Sequence, residues 1–218
     1  MSFIINPFMF GNGVPKLLEE QFEAPGASGW TSVVNASAIA WVSNYTTAPA
    51  PLLGSYSCRI QNTTGSTNAY KNFAASGTVY CRFRINHQRV SGGNSTLITF
   101  NTATGTQLAV FQLASGNSRT RVNVSGGSTV VGTVTPTQNL TYYGWFEYGK
   151  ATSGANAFCR AGLSTTAERP TNWTGINAAS NNGTTTANAE RIQFGSPSGA
   201  TNYDVIIDDI QIQDTPFA

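Results

Sequence analysis

The chain has 218 residues, 40% of them hydrophobic, 11% aromatic and only 10% charged, and twelve basic residues nearly balance ten acidic ones for a net charge of +2. Disorder goes with few aromatics and high net charge, so this chain folds, and its length suits a single all-β domain with a surface of hydroxyls and amides. The near-neutral balance leaves no electrostatic footprint for nucleic acid or an anionic membrane surface, and no apolar run approaches the ~20 residues of a bilayer-spanning helix.

Residues 1–16 stand apart. Phe3, Ile4, Ile5, Phe8, Met9 and Phe10 crowd into a short leader that Gly11-Asn12-Gly13 and Pro15 then break. So apolar a segment needs cover, on its own sandwich or, as an anchoring arm, on another subunit. It has no basic n-region and no apolar stretch before a small-residue cleavage site, so it does not read as a secretory signal. We take residues 1–16 as an assembly arm and 17–218 as the folded domain.

From there the pattern is of strands. Leu17–Phe22 reads as the first, closed by Ala24-Pro25-Gly26. Ser55–Ile60 alternates, and Thr78–Ile85 is the clearest strand, with Val79, Cys81, Phe83 and Ile85 on one face. Leu97–Phe100 and Leu108–Leu113 form a hairpin pair, as do Arg119–Val124 and Thr129–Val134 around Ser125-Gly126-Gly127. Tyr142–Tyr148, Ala157–Leu163, Arg191–Phe194 and Tyr203–Ile212 complete the set. The Thr-, Asn- and Ser-rich stretch 164–190 reads as one long loop. No window carries a sustained helical period. Short strands with regular turn signals predict an all-β, two-sheet antiparallel sandwich.

Cys58, Cys81 and Cys159 are odd in number and sit in apolar, strand-like runs. They read as buried free thiols of a chain made in a reducing compartment. The single histidine, His87, follows the Thr78–Ile85 strand and reads as a solvated loop residue. Arg82 and Arg84 read as a solvated strand face. Among the tryptophans, Trp145 reads as core and Trp30 as packed under the first turn. Trp41 and Trp173 fall in loop-like contexts and are the candidates for a sugar-stacking platform.

Two segments carry a family resemblance. One is Phe22-Glu23-Ala24-Pro25-Gly26, followed by Trp30 and Gly54-Ser55-Tyr56-Ser57-Cys58-Arg59-Ile60. The other is the terminal Ile207-Asp208-Asp209-Ile210. Together they resemble the concanavalin A-like (laminin-G-like) jelly-roll superfamily, which includes lectins, glucanases and carbohydrate-binding modules. The resemblance implies a jelly-roll fold and a surface glycan as one possible partner. Glycosidases of this fold carry paired carboxylates at alternate positions of one strand. Here Trp145-Phe146-Glu147-Tyr148 offers one carboxylate and no second, and adjacent Asp208 and Asp209 are expected on opposite faces. The expectation is therefore a non-enzyme that requires no cofactor. Relatives often hold a structural calcium ion where first and last strands meet, which would fall here on Glu23 and Asp208. Asp208 is expected on the face of Ile206, Ile210 and Ile212, where a carboxylate needs either a cation or several hydrogen-bond donors.

The leader Met1-Ser2-Phe3-Ile4-Ile5-Asn6-Pro7-Phe8-Met9-Phe10-Gly11 on a stand-alone jelly roll also resembles accessory virion proteins of tailed bacteriophages. That resemblance implies a capsid-decoration, head-fibre or tail protein. It would be made in the host cytoplasm and housed in the virion, with a capsid or tail protein and further copies of itself as partners.

Overall fold

A computed structural model describes residues 15–23, 30–34, 39–42, 52–62, 66–92, 94–114, 119–196 and 201–217, with backbone alone at 41, 42, 62, 88–92, 196 and 201–203. Fifteen strands follow one another: β1 (Lys16–Glu20), β2 (Ser32–Val34), β3 (Ile39–Val42), β4 (Ser57–Asn62), β5 (Thr67–Ser76), β6 (Thr78–Gly92), β7 (Ser95–Asn101), β8 (Gln107–Leu113), β9 (Thr120–Val124), β10 (Val130–Val131), β11 (Thr141–Gly149), β12 (Ala157–Ser164), β13 (Ala178–Gly183), β14 (Ala189–Ser196) and β15 (Thr201–Gln213). There is no helix among the described residues.

Every pairing is antiparallel. An eight-stranded sheet runs β13-β12-β11-β6-β15-β4-β3, with β1 added to β15, and a seven-stranded sheet runs β10-β9-β8-β7-β14-β5-β2. The chain is a two-sheet jelly-roll sandwich. Strand alternation makes it so. Val79, Cys81, Phe83 and Ile85 of β6 and Tyr142, Phe146 and Tyr148 of β11 face inward, onto Phe100, Phe111, Val122 and Phe194 of the opposite sheet. Phe100 and Phe146 stack across the sheets with ring centroids 4.5 Å apart, and Trp30 lies between Phe22 and Phe194 at 5.3 and 5.8 Å. A gap beside Ile60, Ile98 and Phe194 measures only about 10 Å³, so packing is close. The three cysteines are free and buried, as expected. Burial pushes each thiol well above its ordinary range, which leaves no thiolate for chemistry.

Both predicted hairpins form, β7 with β8 and β9 with β10, although β10 keeps only Val130 and Val131 of the expected Thr129–Val134. Three expectations need correction, and one strand has no counterpart among the predicted ones. The stretch 164–190 is not one loop: Ala178–Gly183 pairs with β12 as β13. The polar run Thr67–Ser76 is a ten-residue strand between β14 and β2, which its composition hides. His87 lies within β6 and is 3% exposed, not in a solvated loop. The terminal strand β15 carries a bulge: Asp208 lies opposite Arg84 and Gln211 opposite Arg82, so two residues, 209 and 210, face one. Asp209 takes φ 45° there. The bulge sends Ile210 and Ile212 into the core with Val205 and Ile207. It leaves Asp208, with Ile206, on the outside, and brings Asp209 to that side as well.

Candidate functional site

The outer face of the eight-stranded sheet carries a cluster of charged and aromatic groups. Alternation points Tyr80, Arg82 and Arg84 of β6 outward, with Tyr143, Trp145 and Glu147 of β11 and Arg160 of β12 beside them. Register sets Trp145 opposite Arg82, Tyr143 opposite Arg84, and Glu147 between Tyr80 and Arg160.

Glu147 is 1% exposed and is held by Arg169, whose Nε and terminal nitrogen donate at 2.6 and 2.9 Å. Arg160 adds a charge at 4.0 Å. The Glu147 hydrogen bonds push the Arg169 guanidinium further up its range. Arg169 also faces two rings, Tyr80 at 5.8 Å and Trp173 at 5.7 Å. Burial, with the Glu147 charge behind it, raises the Tyr80 phenol.

Trp173 lines a cleft of about 180 Å³ with Val130, Val131, Thr133, Thr174 and Asn177. The cleft lies where β10 meets the segment before β13. Thr133 and Val134 N–H groups donate to the Gly175 carbonyl at 2.8 and 3.3 Å, and the Thr120 hydroxyl donates to the Ile176 carbonyl at 2.5 Å. Gly132 permits this closure, since a Cβ there would stand 2.5 Å from the Gly175 oxygen. The cleft thus presents one half-exposed indole, two threonine hydroxyls, an amide and a nearby guanidinium.

Between β6, β11 and the C-terminal residues lies a third cluster. Trp145 is 1% exposed yet stands outside the inter-sheet core, contrary to expectation. Phe217 covers it, edge to face at 5.7 Å, and the Arg82 guanidinium lies 5.5 Å from the same ring. Arg84 donates to the Leu52 carbonyl and the Tyr143 hydroxyl, both at 3.1 Å, and lies 4.8 Å from the Tyr143 ring centroid. These arginines are not a free solvated face.

Glu23 and Asp208 meet at one loop. Glu23 accepts from the Ser55 N–H at 2.9 Å. Asp208 accepts from the Leu53 N–H at 2.9 Å, the Ser57 hydroxyl at 2.7 Å and the Asp209 N–H at 2.7 Å. Burial pushes the Asp208 carboxyl up to about 6, the Glu23 charge adds to the rise, and the three donors oppose it. Gly54 sits at the centre with φ 60°, and a Cβ there would strike the Glu23 carboxylate. A calcium ion here would compete with four donors already in place. Among the described residues no group of three His, Cys, Asp or Glu side chains is placed to hold a metal.

Of the residues singled out by sequence, Trp173 lines the cleft and Glu23 and Asp208 come together. Trp41 lies on β3 opposite Cys58, its side chain outside the described residues. Phe3, Ile4, Ile5, Phe8, Met9 and Phe10 also lie outside them. The reading missed Arg169 and Phe217. Arg169 had one signal: it is the sole basic residue between positions 164 and 190.

No family model matches the chain, and no curated protein does. Solved structures do. A sialidase is 13% identical with a TM-score of 0.57, over 93% of this chain and 19% of that one. The cellulose-induced protein Cip1 is 16% identical with a TM-score of 0.57, over 92% of this chain and 99% of that one. A botulinum neurotoxin serotype D ligand-binding domain, solved with N-acetylneuraminic acid, is 10% identical with a TM-score of 0.53, over 93% of this chain and 48% of that one. The chain thus spans about a fifth of the sialidase and about half of the toxin domain. At these identities the likeness is one of fold.

Proposed function

We propose that this jelly roll is a carbohydrate-binding domain and that it catalyses no reaction. The observation that carries the reading is Trp173, a half-exposed indole lining a mainly apolar cleft beside hydroxyls, an amide and a guanidinium. An indole face stacks on the C–H face of a pyranose while neighbouring polar groups take its hydroxyls. The neurotoxin domain solved with N-acetylneuraminic acid supports the same reading by fold alone.

The lack of catalysis is argued from Glu147. Both of its oxygens accept from Arg169, so neither is free to meet a glycosidic oxygen. Asp209 stands two strands away and about four residues along, some 15 Å at the backbone from strand spacing and rise. A glycosidase pair stands at roughly 5–10 Å. Attachment to a virion capsid or tail protein, or to further copies of the chain, rests on residues 1–16, of which 1–14 lie outside the described residues. The glycan reading is compatible with it and takes precedence because its observation lies on the sandwich itself.

An array of neutral and acidic glycans tests the proposal. The domain should retain a defined subset of glycans, and prolonged incubation with those glycans should release no shorter product. Retention of none removes the binding reading. Product formation abolished by Glu147→Gln removes the non-catalytic one.

A further inference from the structure

The outer face holds more donors than acceptors. Arg82 Nε, Arg84 Nε and Trp145 Nε1 are all buried with no hydrogen-bond partner among the described residues. The three belong to one patch, since Trp145 lies directly opposite Arg82 and Arg84 is two residues along the same strand. A buried unmet N–H is costly, and three together mark a place where an acceptor belongs. The acceptor at hand does not reach. One Asp209 oxygen stands 3.9 Å from both Arg82 and Arg84, beyond hydrogen-bond range, and the other accepts from Gln211 Nε2 at 2.8 Å.

The charges point the same way. Arg82, Arg84, Arg160 and Arg169 stand on this part of the face against Asp208, Asp209 and Glu147; Glu147 is consumed by Arg169, and Asp208 accepts from Ser57 and from the Leu53 and Asp209 N–H groups. The patch is cationic in a chain that is otherwise almost neutral. Phe217 walls it on the side of the C-terminal residues, which make no strand pairing after Gln213. An apolar ring beside guanidinium and indole donors suits a ligand with a pyranose ring and a carboxylate, in place of a bare inorganic anion.

We infer that Arg82, Arg84 and Trp145 form an acid-recognition subsite that takes the carboxylate of an acidic sugar. The inference rests on the glycan reading of this face. The carboxylate oxygens accept from Arg82, Arg84 and the Trp145 indole, and the sugar ring lies against Phe217. The subsite shares no lining residue with the Trp173 cleft.

The test titrates ¹⁵N-labelled protein with sodium glucuronate and, separately, with uncharged methyl glucoside, following the indole N–H resonances assigned by single Trp→Phe variants. Glucuronate should move the Trp145 indole resonance saturably and bind about tenfold more tightly than methyl glucoside. Arg82→Gln should abolish that preference, and among the described residues it breaks no hydrogen bond of Arg82 Nε. A Trp145 resonance that does not respond to glucuronate overturns the inference. If the Trp173 resonance still responds to either sugar, the glycan reading stands without it. If no indole responds to either, both fall.

Discussion

Asp208 and His87 titrate in opposite senses over the same pH range, and substituting one should expose the other. Burial raises the Asp208 carboxyl from 3.8 to about 6 and lowers the His87 imidazole from 6.5 to about 4. A folded-state value raised for Asp208 means that the folded chain holds that proton more tightly than the unfolded one. Its contribution to stability is therefore complete below pH 3.8 and lost as pH rises through about 6. The depressed His87 value acts the other way: its contribution is complete above pH 6.5 and lost as pH falls through about 4. At about 1.4 kcal/mol for each pH unit of displacement, both amount to roughly 3 kcal/mol. In the wild type they nearly cancel between pH 4 and 6.5. Asp208→Asn leaves His87 uncompensated, so acidification over that range should destabilise the variant by about 3 kcal/mol relative to wild type, a melting-temperature difference of about 6–12 °C at this chain length. His87→Gln should show the reverse slope. Thermal unfolding followed by circular dichroism at closely spaced pH values measures both, and carboxylates common to all three proteins drop out of the differences. Melting temperatures of variants and wild type that run parallel from pH 4 to 6.5 would refute the assignment of these two groups.

Three further outcomes are expected. Arg169→Ala should cost about 3–5 kcal/mol in denaturant unfolding, because it strands a buried Glu147 carboxylate, and adding Glu147→Gln should recover part of the loss; equal stability of the single and double variants contradicts the pairing. Chelation of well-dialysed protein should leave the melting temperature unchanged if the donors at Glu23 and Asp208 serve in place of an ion. A bound calcium ion at one hundred times its Kd would instead contribute about 2.7 kcal/mol, and its removal would lower the melting temperature measurably. Deletion of residues 2–14 should leave a folded sandwich by circular dichroism that no longer joins its partner or oligomer, as sized by gel filtration; normal assembly of the truncated chain refutes the arm.

The sandwich was legible because its core strands are strict in alternation. Val79, Cys81, Phe83 and Ile85 can satisfy one apolar face only as a strand, and the Gly-rich turn at 125–127 fixes a hairpin. β5 was hidden because Thr67-Asn68-Ala69-Tyr70-Lys71-Asn72 shows no such alternation, though the pairing buries Thr67, Asn68 and Ala69. β13, Ala178–Gly183, carries no large apolar side chain, so its pairing on β12 leaves no trace in hydrophobicity. The bulge at Asp209 reverses the faces of everything after it, which is why Asp208 was grouped with Ile210 and Ile212. Within the candidate site, Trp173 was visible as a tryptophan in a polar stretch. The partners that define the site were not. Arg169 reaches Glu147 across 22 residues of sequence, and Phe217 reaches Trp145 from the other end of the chain's last segment. Such pairs are set by where a loop and the C-terminal residues fold back over the sheet, which no local pattern encodes.

On the proposed reading, a glycan stacks on Trp173. Calorimetric titration of the wild-type domain and of Trp173→Ala with the best glycan found on the array tests it most directly. Loss of an aromatic anchor should weaken binding by about 2 kcal/mol, or roughly 30-fold, with the melting temperature nearly unchanged because the ring is half-exposed. Unaltered affinity in a folded Trp173→Ala variant would contradict the account.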